Sequence, residues 1–400
     1  VPDQMAQKLL HLREFRYSDI LSSSPPHSDE TQRLHAIGAR IAETLGPSGP
    51  GLLSVTDIPE DVLIVRRNLL VLTRKLALSH PDIRNRLLKE HKLGSDVSLK
   101  NPLRNVSSFS TTLRYEKMMS SSFSSENEGD INIDFCSLRF MIDKLGMWMM
   151  DLGLRVAKLC DAAIGSCDLE QSLLESGSAK GRLIHYHSGN EKYDLQRFSA
   201  DKIGQGKPRL QGKQSTNNDS DLWQQWHYDY GILTVLTSPM FLSTDDDLSR
   251  CQDFIYPNGL SYLSIFDPKE NEVQMVHSAS ESFIIQVGEA AEILSKGHLH
   301  ATLHSVRKPP SVDNLSREMF VVFLQPSWTK TFELPEDFFM LERGKNFYED
   351  DFDSTGSTSV ALQLQKIVPP LSSRLKNGMT FAEFARETTK QYYGGFGLQS

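Results

Sequence analysis

The sequence predicts an α+β fold whose core is a jelly roll, and three observations lead there. Glu60 to Leu78 and Asp134 to Ala163 carry apolar residues at helical spacing. From about Gly181 the pattern changes to short apolar and β-branched runs separated by turn residues. No internal repeat accompanies them, so many short antiparallel strands in two packed sheets account for the pattern, as in a jelly roll.

Taken in order, residues 1 to 50 read as mostly helical, with a break at Ser22-Ser23-Ser24-Pro25-Pro26. The helix over 60–78 follows. Ser120 to Asp130 is rich in serine and charge and reads as a loop. The helix over 134–163 contains Asp143, Lys144, Asp151 and Arg155 within its most apolar stretch, so it is amphipathic and not a membrane span. Lys207 to Asp221 is polar and reads as a loop over a site. Gly259 to Pro268 is a strand entering a turn, and Glu272 to Val276 is its return. Ser282 to Glu289 is an apolar strand ending at a glycine. Ala290 to Ser295 makes a short helical turn, and Gly297 to Val306 is again extended. Met319 to Leu324 is a further strand, with Arg317 where it begins.

Composition narrows the function classes. The chain has 400 residues, 24% of them charged, and a net charge of −8, which leaves no basic footprint for nucleic acid. Acidic clusters such as Asp245-Asp246-Asp247 and Glu349-Asp350-Asp351 read as solvated loops. Cys136, Cys160, Cys167 and Cys251 lack zinc-ligand spacing and are expected as buried free thiols in a reducing, cytoplasmic setting. The expected protein is a monomer acting on a small molecule, without a nucleic-acid or membrane partner.

The most informative motif is His227-Tyr228-Asp229, followed by the apolar run Ile232 to Leu236. On a strand, residues i and i+2 share a face, so an imidazole and a carboxylate project side by side. One more histidine completes a two-histidine, one-carboxylate face, the ligand set of non-haem Fe(II) with open positions for substrate and oxygen. His277, His298, His300 and His304 are the candidates. The last three differ by even steps, and alternation alone does not choose among them. Arg317 offers a planar fork of donors suited to a carboxylate.

These residues resemble the plant-type 2-oxoglutarate and Fe(II)-dependent oxygenases. The family's first metal strand, His-Thr-Asp-x-Gly-x-x-Thr-x-Leu, is matched by His227 through Leu236, with Gly231 and Thr234 in place. Its glycine turn and distal-histidine strand are matched by Gln286-Val287-Gly288-Glu289 and by His304-Ser305-Val306, which selects His304 as the third ligand. Its cosubstrate arginine falls on Arg317. Its upstream motif Arg-Leu-Asn-x-Tyr-Pro resembles Arg182-Leu183-Ile184-His185-Tyr186-His187 and places Tyr186 near the chelating end of 2-oxoglutarate. Gly51 to Pro59 is similar to the family's early strand and turn, and Gly378 to Phe384 to its closing helix. Two positions depart from the pattern. Met319 stands where the family has a serine two residues after the arginine, and Ile184 where it has asparagine. The interval from Asp229 to His304 also carries an insertion around Leu242 to Cys251.

The resemblance implies a distorted double-stranded β-helix. Residues 181–330 would form this oxygenase core, 1–180 a mainly helical region supporting it, and 331–400 a helical extension packed outside. It also implies Fe(II) held by His227, Asp229 and His304. Oxidative decarboxylation of 2-oxoglutarate by O2 to succinate and CO2 would be coupled to hydroxylation or desaturation of a small metabolite. Other readings of the same residues are an iron oxygenase without 2-oxoglutarate, suggested by Met319, a non-catalytic binding protein, and a zinc hydrolase. Along β-type alternation His185 and His187 share one face, lining the pocket or facing solvent, and Ile184, Tyr186 and Ser188 share the other. Trp223 and Trp226 read as core. His277 and His298 read as surface histidines. Substrate contacts are expected from the N-terminal helices and from loops 207–221 and 242–253.

Overall fold

The structure is a computed structural model that describes residues 8–21, 28–95, 97, 99, 104–115, 135–192, 222–243, 259–310, 314–336, 338–339 and 360–393. The predicted loops at 120–130 and 207–221, and all of the 242–253 loop except Leu242 and Ser243, lie outside the described residues.

Fourteen strands are described: β1 Lys8–His11, β2 Glu14–Arg16, β3 Leu52–Thr56, β4 Gly94–Ser95, β5 Val106–Arg114, β6 Ser178–Tyr186, β7 Leu222–His227, β8 Leu233–Thr237, β9 Met240–Ser243, β10 Leu260–Asp267, β11 Glu272–His277, β12 Phe283–Val287, β13 His304–Arg307 and β14 Leu315–Leu324. They form two sheets. The smaller has the order β1-β11-β10-β13-β7. The larger has the order β2-β3-β12-β8-β14-β6-β5-β4, with β9 pairing beside β14. All pairings are antiparallel except β1 with β11 and β2 with β3.

Helices cover the outer face of the larger sheet. The first two, α1 Tyr17–Ile20 and α2 Ser28–Leu45, lead to α3 Glu60–Leu78 and α4 Pro81–Glu90, and then to the long α5 Leu138–Ile164 and to α6 Asp168–Ser176. The 3.6-residue spacing predicts α3 at its observed bounds. Helix α5 stops where Gly165 adopts φ +73°, the left-handed C-terminal cap that glycine accepts most readily. The expectation of a mostly helical stretch over 1–50 fails at β1 and β2. These short segments are strands because they add to the edges of existing sheets, a preference set by partners and not by local sequence.

Side chains of the larger sheet alternate between two cores. Leu183, Val235, Ile285, Phe320 and Val322 pack with α3 and α5 on one face. Ile184, Leu236, Ile284, Met319 and Val321 face the smaller sheet, where they meet Leu263, Ile265, Met275 and Val306. The result is three layers: helices, large sheet, small sheet. Trp226, Phe266 and Leu303 on the far side of the small sheet are covered by α8 Val360–Gln365 with Val368. The short α9 Leu371–Arg374 and the closing α10 Phe381–Tyr393 complete the C-terminal layer. Thr380 and Glu383 cap α10 reciprocally: Thr380 N–H donates to Glu383 Oε2 (2.8 Å) and Glu383 N–H to Thr380 Oγ1 (3.3 Å). Among the described residues no helix is long and apolar enough to cross a membrane. Cys160 and Cys167 are free thiols; Cys160 is buried as expected, whereas Cys167 and Cys136 are exposed, because each lies at the edge of a helix and not in its packed face.

Two glycines let backbones meet where the layers join. A Cβ on Gly288 would lie 2.3 Å from the carbonyl oxygen of Gly231 and 3.0 Å from that of Asp229. One on Gly231 would lie 2.8 Å from the carbonyl oxygen of Leu324. Backbone cannot swing aside as a flexible side chain can. Gly288→Ala is therefore expected to destabilise the fold by about 1–3 kcal/mol, the usual cost of overpacking. Urea unfolding should show a lower midpoint at unchanged m; an unchanged midpoint would mean that the close approach is not maintained.

Candidate metal centre

His227 is the last residue of β7, and His304 opens β13, its antiparallel neighbour, with the two in direct register. Their rings are 4.2 Å apart between centroids, and both are buried. Asp229 does not share a strand with His227, as simple alternation predicts. The strand ends at His227, and Asp229 sits in the turn before β8. Backbone bonds fix that turn: Glu289 N–H donates to the carbonyl of Asp229 (2.8 Å), Ala290 N–H to that of Gly231 (2.9 Å), and Ile232 N–H to that of Leu324 (2.8 Å). Glu289 opens α7, Glu289–Leu294.

The turn still brings the carboxylate to the imidazoles. Asp229 Oδ1 is 3.9 Å from His227 Nε2, and one ligand atom from each of His227, Asp229 and His304 lies within 4.8 Å of the other two. Each histidine directs Nδ1 at the carbonyl two residues before it, His227 at Gln225 (2.8 Å) and His304 at Thr302 (3.0 Å). For His227 that bond leaves Nε2 as the lone-pair nitrogen. Burial, with His304 beside it, lowers the pKa of His227 and keeps it in the neutral, ligating form. Thr234 Oγ1 donates to Asp229 Oδ2 (2.6 Å), and the Gln286 amide lies against both Asp229 Oδ2 (3.5 Å) and His304 Nδ1 (2.8 Å). Thr234 and Gln286 stand inside the quoted motifs, but their roles were not legible there. Two imidazoles and one carboxylate, each held by an outer partner, fit a divalent first-row metal.

The group opens on a cavity of about 250 Å³ between the sheets. Ile184 and Tyr186 of β6, Thr234 and Leu236 of β8, Leu263 of β10 and Val306 of β13 line it, together with Arg317, Met319, Val321 and Phe323 of β14. Arg317 is buried with 2% exposure. Its Nε donates to the carbonyl of Ser261 (3.2 Å), while Nη1 is buried without a hydrogen-bond partner. Burial lowers the Arg317 pKa, with Tyr186 and Glu318 opposing. Ser261 precedes Tyr262, whose φ of +55° falls at an irregularity in the β10–β11 ladder. Such a bulge re-aims the neighbouring backbone, here the carbonyl that receives Arg317. Tyr186 lies directly opposite Arg317 in the β6–β14 ladder, with the guanidinium 5.1 Å from its ring centre. Its hydroxyl donates to Gln224 Oε1 (2.7 Å), and Gln224 Nε2 reaches His227 Nε2 (3.0 Å).

The remaining candidates separate from this cavity. His298 Nδ1 bonds the carbonyl of Ser295 (2.7 Å), and His300 lies 3.6 Å from Glu292. Both stand in irregular chain; the extended segment expected from Gly297 begins only at His304. His277 stacks on His11 at 4.5 Å. Trp223 and Trp226 are core residues, and Trp223 Nε1 donates to the carbonyl of His187 (2.9 Å). His185 and His187 neither line the cavity nor face solvent. They are fully buried on the opposite face of β6, beside Glu191 and Glu318. A strand covered on both sides makes that third outcome possible.

No protein-family model matches the sequence, and no curated protein does. Solved structures match in fold. A full-length Neurospora crassa protein in complex with alpha-KG and thymine is 13% identical over 97% of this chain and 98% of its own, with a TM-score of 0.52. JOX2 in complex with 2OG, Fe and JA is 14% identical over 94% of this chain and 84% of its own, at 0.50. The dioxygenase for auxin oxidation in rice is 16% identical over 93% and 98%, also at 0.50. The chain has the fold of the 2-oxoglutarate–Fe(II) oxygenases. At this identity the likeness concerns the fold, and the chemistry rests on the residues above.

Asp229 is the only anionic side chain of the His227, Asp229 and His304 group. Asp229→Ala, and more fully His227→Ala with Asp229→Ala, should abolish stoichiometric Fe(II) in this cavity by metal analysis. Thr234→Val, which removes only the outer hydrogen bond, should weaken Fe(II) by about 10–100-fold. An unchanged stoichiometry in the double variant, read by iron content after anaerobic loading, would refute the assignment.

Proposed function

We propose that this chain is an Fe(II)- and 2-oxoglutarate-dependent oxygenase that hydroxylates or desaturates a small organic metabolite. In this reading residues 181–330 are its jelly-roll, double-stranded β-helix core. The observation that carries it is Arg317: a buried guanidinium with a free donor, on the wall of the cavity that holds the His227, Asp229 and His304 group. Among the described residues it has no carboxylate partner, and a carboxylate on a bound keto acid would supply one.

When bound, Fe(II) with 2-oxoglutarate and O2 supplies the oxidising power for C–H chemistry, with succinate and CO2 as co-products. The rest falls to the chain. His227, Asp229 and His304 would hold the metal on one face. Arg317 would bind and orient the far carboxylate of the cosubstrate, with the Tyr186 ring packed beside the guanidinium. Leu236, Leu263, Val306 and Val321 give the cavity apolar walls that keep water from the reacting atoms. The cavity volume is on the scale of a small organic molecule.

Arg317→Ala should weaken 2-oxoglutarate by roughly two or more orders of magnitude. Truncating one member of a buried charge pair costs about 3–5 kcal/mol, at about 1.4 kcal/mol per factor of ten. Iron should stay bound. Arg317→Lys should recover only part of the loss, because an ammonium lacks the bidentate fork. Met319→Ser should tighten 2-oxoglutarate by about 0.5–1.5 kcal/mol if the new hydroxyl reaches the carboxylate. Anaerobic titration calorimetry measures all three, and succinate release with and without 2-oxoglutarate measures turnover. Equal affinity in wild type and Arg317→Ala would leave an iron oxygenase that uses another reductant.

A further inference from the structure

Behind the cavity, on the other face of β6 and β14, lies a second cluster. His185 Nε2 is 3.1 Å from His187 Nδ1 and 3.3 Å from Glu191 Oε2, and His187 Nδ1 is 4.0 Å from the same carboxylate oxygen. A point equidistant from these three atoms lies about 2.1 Å from each, which is the length of a Zn–N or Zn–O bond. All three side chains are buried. We propose that His185, His187 and Glu191 hold a zinc ion with a fourth position left open, a site separate from the His227, Asp229 and His304 group and independent of the oxygenase reading.

Each ligand has the outer partner such a site requires. His185 Nδ1 is 2.8 Å from Glu318 Oε1, a carboxylate–histidine pair of the kind that fixes a metal-ligating imidazole. His187 Nε2 is 2.9 Å from Ser107 Oγ. With both outer nitrogens carrying their protons, His185 Nε2 and His187 Nδ1 present lone pairs to each other and to Glu191. Glu191 is oriented by a capping box: Ser188 N–H donates to its Oε2 (2.9 Å), and its own N–H donates to Ser188 Oγ (3.1 Å). Arg74 Nε binds the other oxygen, Oε1, at 3.2 Å.

The charges ask for a cation at the same point. Glu191 and Glu318 are two buried carboxylates, and Arg74 offsets one of them. Arg104, which donates to Ser107 Oγ, lies beyond His187 and not between the ligands. The gap thus holds either a proton on His185 Nε2 or a metal ion that displaces it. Two imidazoles and one glutamate form an established zinc donor set. None of the three lines the cavity, so the ion would act as a staple. It would join β6 to the turn after it and, through Glu318 and Arg74, to β14 and α3.

Zinc content tests this. The His227→Ala, Asp229→Ala variant, expressed with Zn2+ in the medium and washed with EDTA, removes the first site from the count. One zinc per chain is expected, with X-ray absorption showing two imidazole nitrogens and carboxylate oxygen at about 2.0–2.2 Å. Adding His187→Gln and Glu191→Gln should remove it. A folded two-residue variant without zinc would overturn the proposal in favour of the shared proton. So would zinc that persists after the second pair of substitutions. If the four-residue variant does not fold, the absorption spectrum decides: a shell without two imidazoles refutes the site. Failure of the oxygenase reading would show separately, as loss of iron or of 2-oxoglutarate binding in the wild type.

Discussion

Strand β14 is buried on both faces, and the arrangement of the molecule depends on its register. Alternation sends Arg317, Met319, Val321 and Phe323 into the cavity, and Glu318, Phe320 and Val322 to the helical side. A slip of one residue would exchange Arg317 with Glu318. It would put a carboxylate into the cavity that Asp229 lines, and would take from His185 the Glu318 carboxylate beside it. The register is pinned along its length. β6 pairs with it from Ala179 to Tyr186, β8 with its second half and β9 with its first. A polar residue at either position is tolerable in the interior only because each side has its own partners waiting.

The turn that carries Asp229 is held by a different device, close contact between backbones. Gly231 packs on the Leu324 carbonyl and Gly288 on Gly231, so the end of β14, the turn and the start of α7 form one rigid junction. The junction is tied to the C-terminal layer by Arg374, which grips Glu289 with both terminal nitrogens, at 2.8 and 2.5 Å. Such a buried pair adds little net stability relative to an apolar substitute, but breaking one half is costly. Its consequence here is positional: helices distant in sequence restrain the backbone that presents a candidate ligand.

Much of this was legible in the sequence where local periodicity decides structure. The spacing of α3 and α5, the β10–β11 return and the apolar strand at β12 are local signals, and each appears near its expected place. β1 and β2 are not local: three or four residues become strand only because a sheet edge accepts them. The proximity of His227 and Asp229 was anticipated, but for a reason that does not hold, since a pinned turn and not strand alternation brings the carboxylate round. For His185 and His187, alternation gives a shared face but cannot say what covers it. The adjacent Leu183 and Ile184, apolar on both faces of β6, are the signal that neither face is wet.

The two departures from the oxygenase pattern, Met319 and Ile184, are direct cross-strand partners in the β6–β14 ladder, and both line the cavity. They are therefore not independent. A hydroxyl or amide facing an apolar neighbour in a buried wall carries an unmet hydrogen bond, whereas two apolar side chains facing one another carry none. Changing both positions together removes polar groups from this wall without leaving an orphan. It also leaves apolar side chains at these two positions of the wall that carries Arg317. The Arg317 guanidinium is aimed by the Ser261 carbonyl and the Tyr186 ring, and Arg182 and Lys180 also line the cavity. A cavity built in this way would discriminate by charge and fork geometry more than by a network of neutral hydrogen bonds.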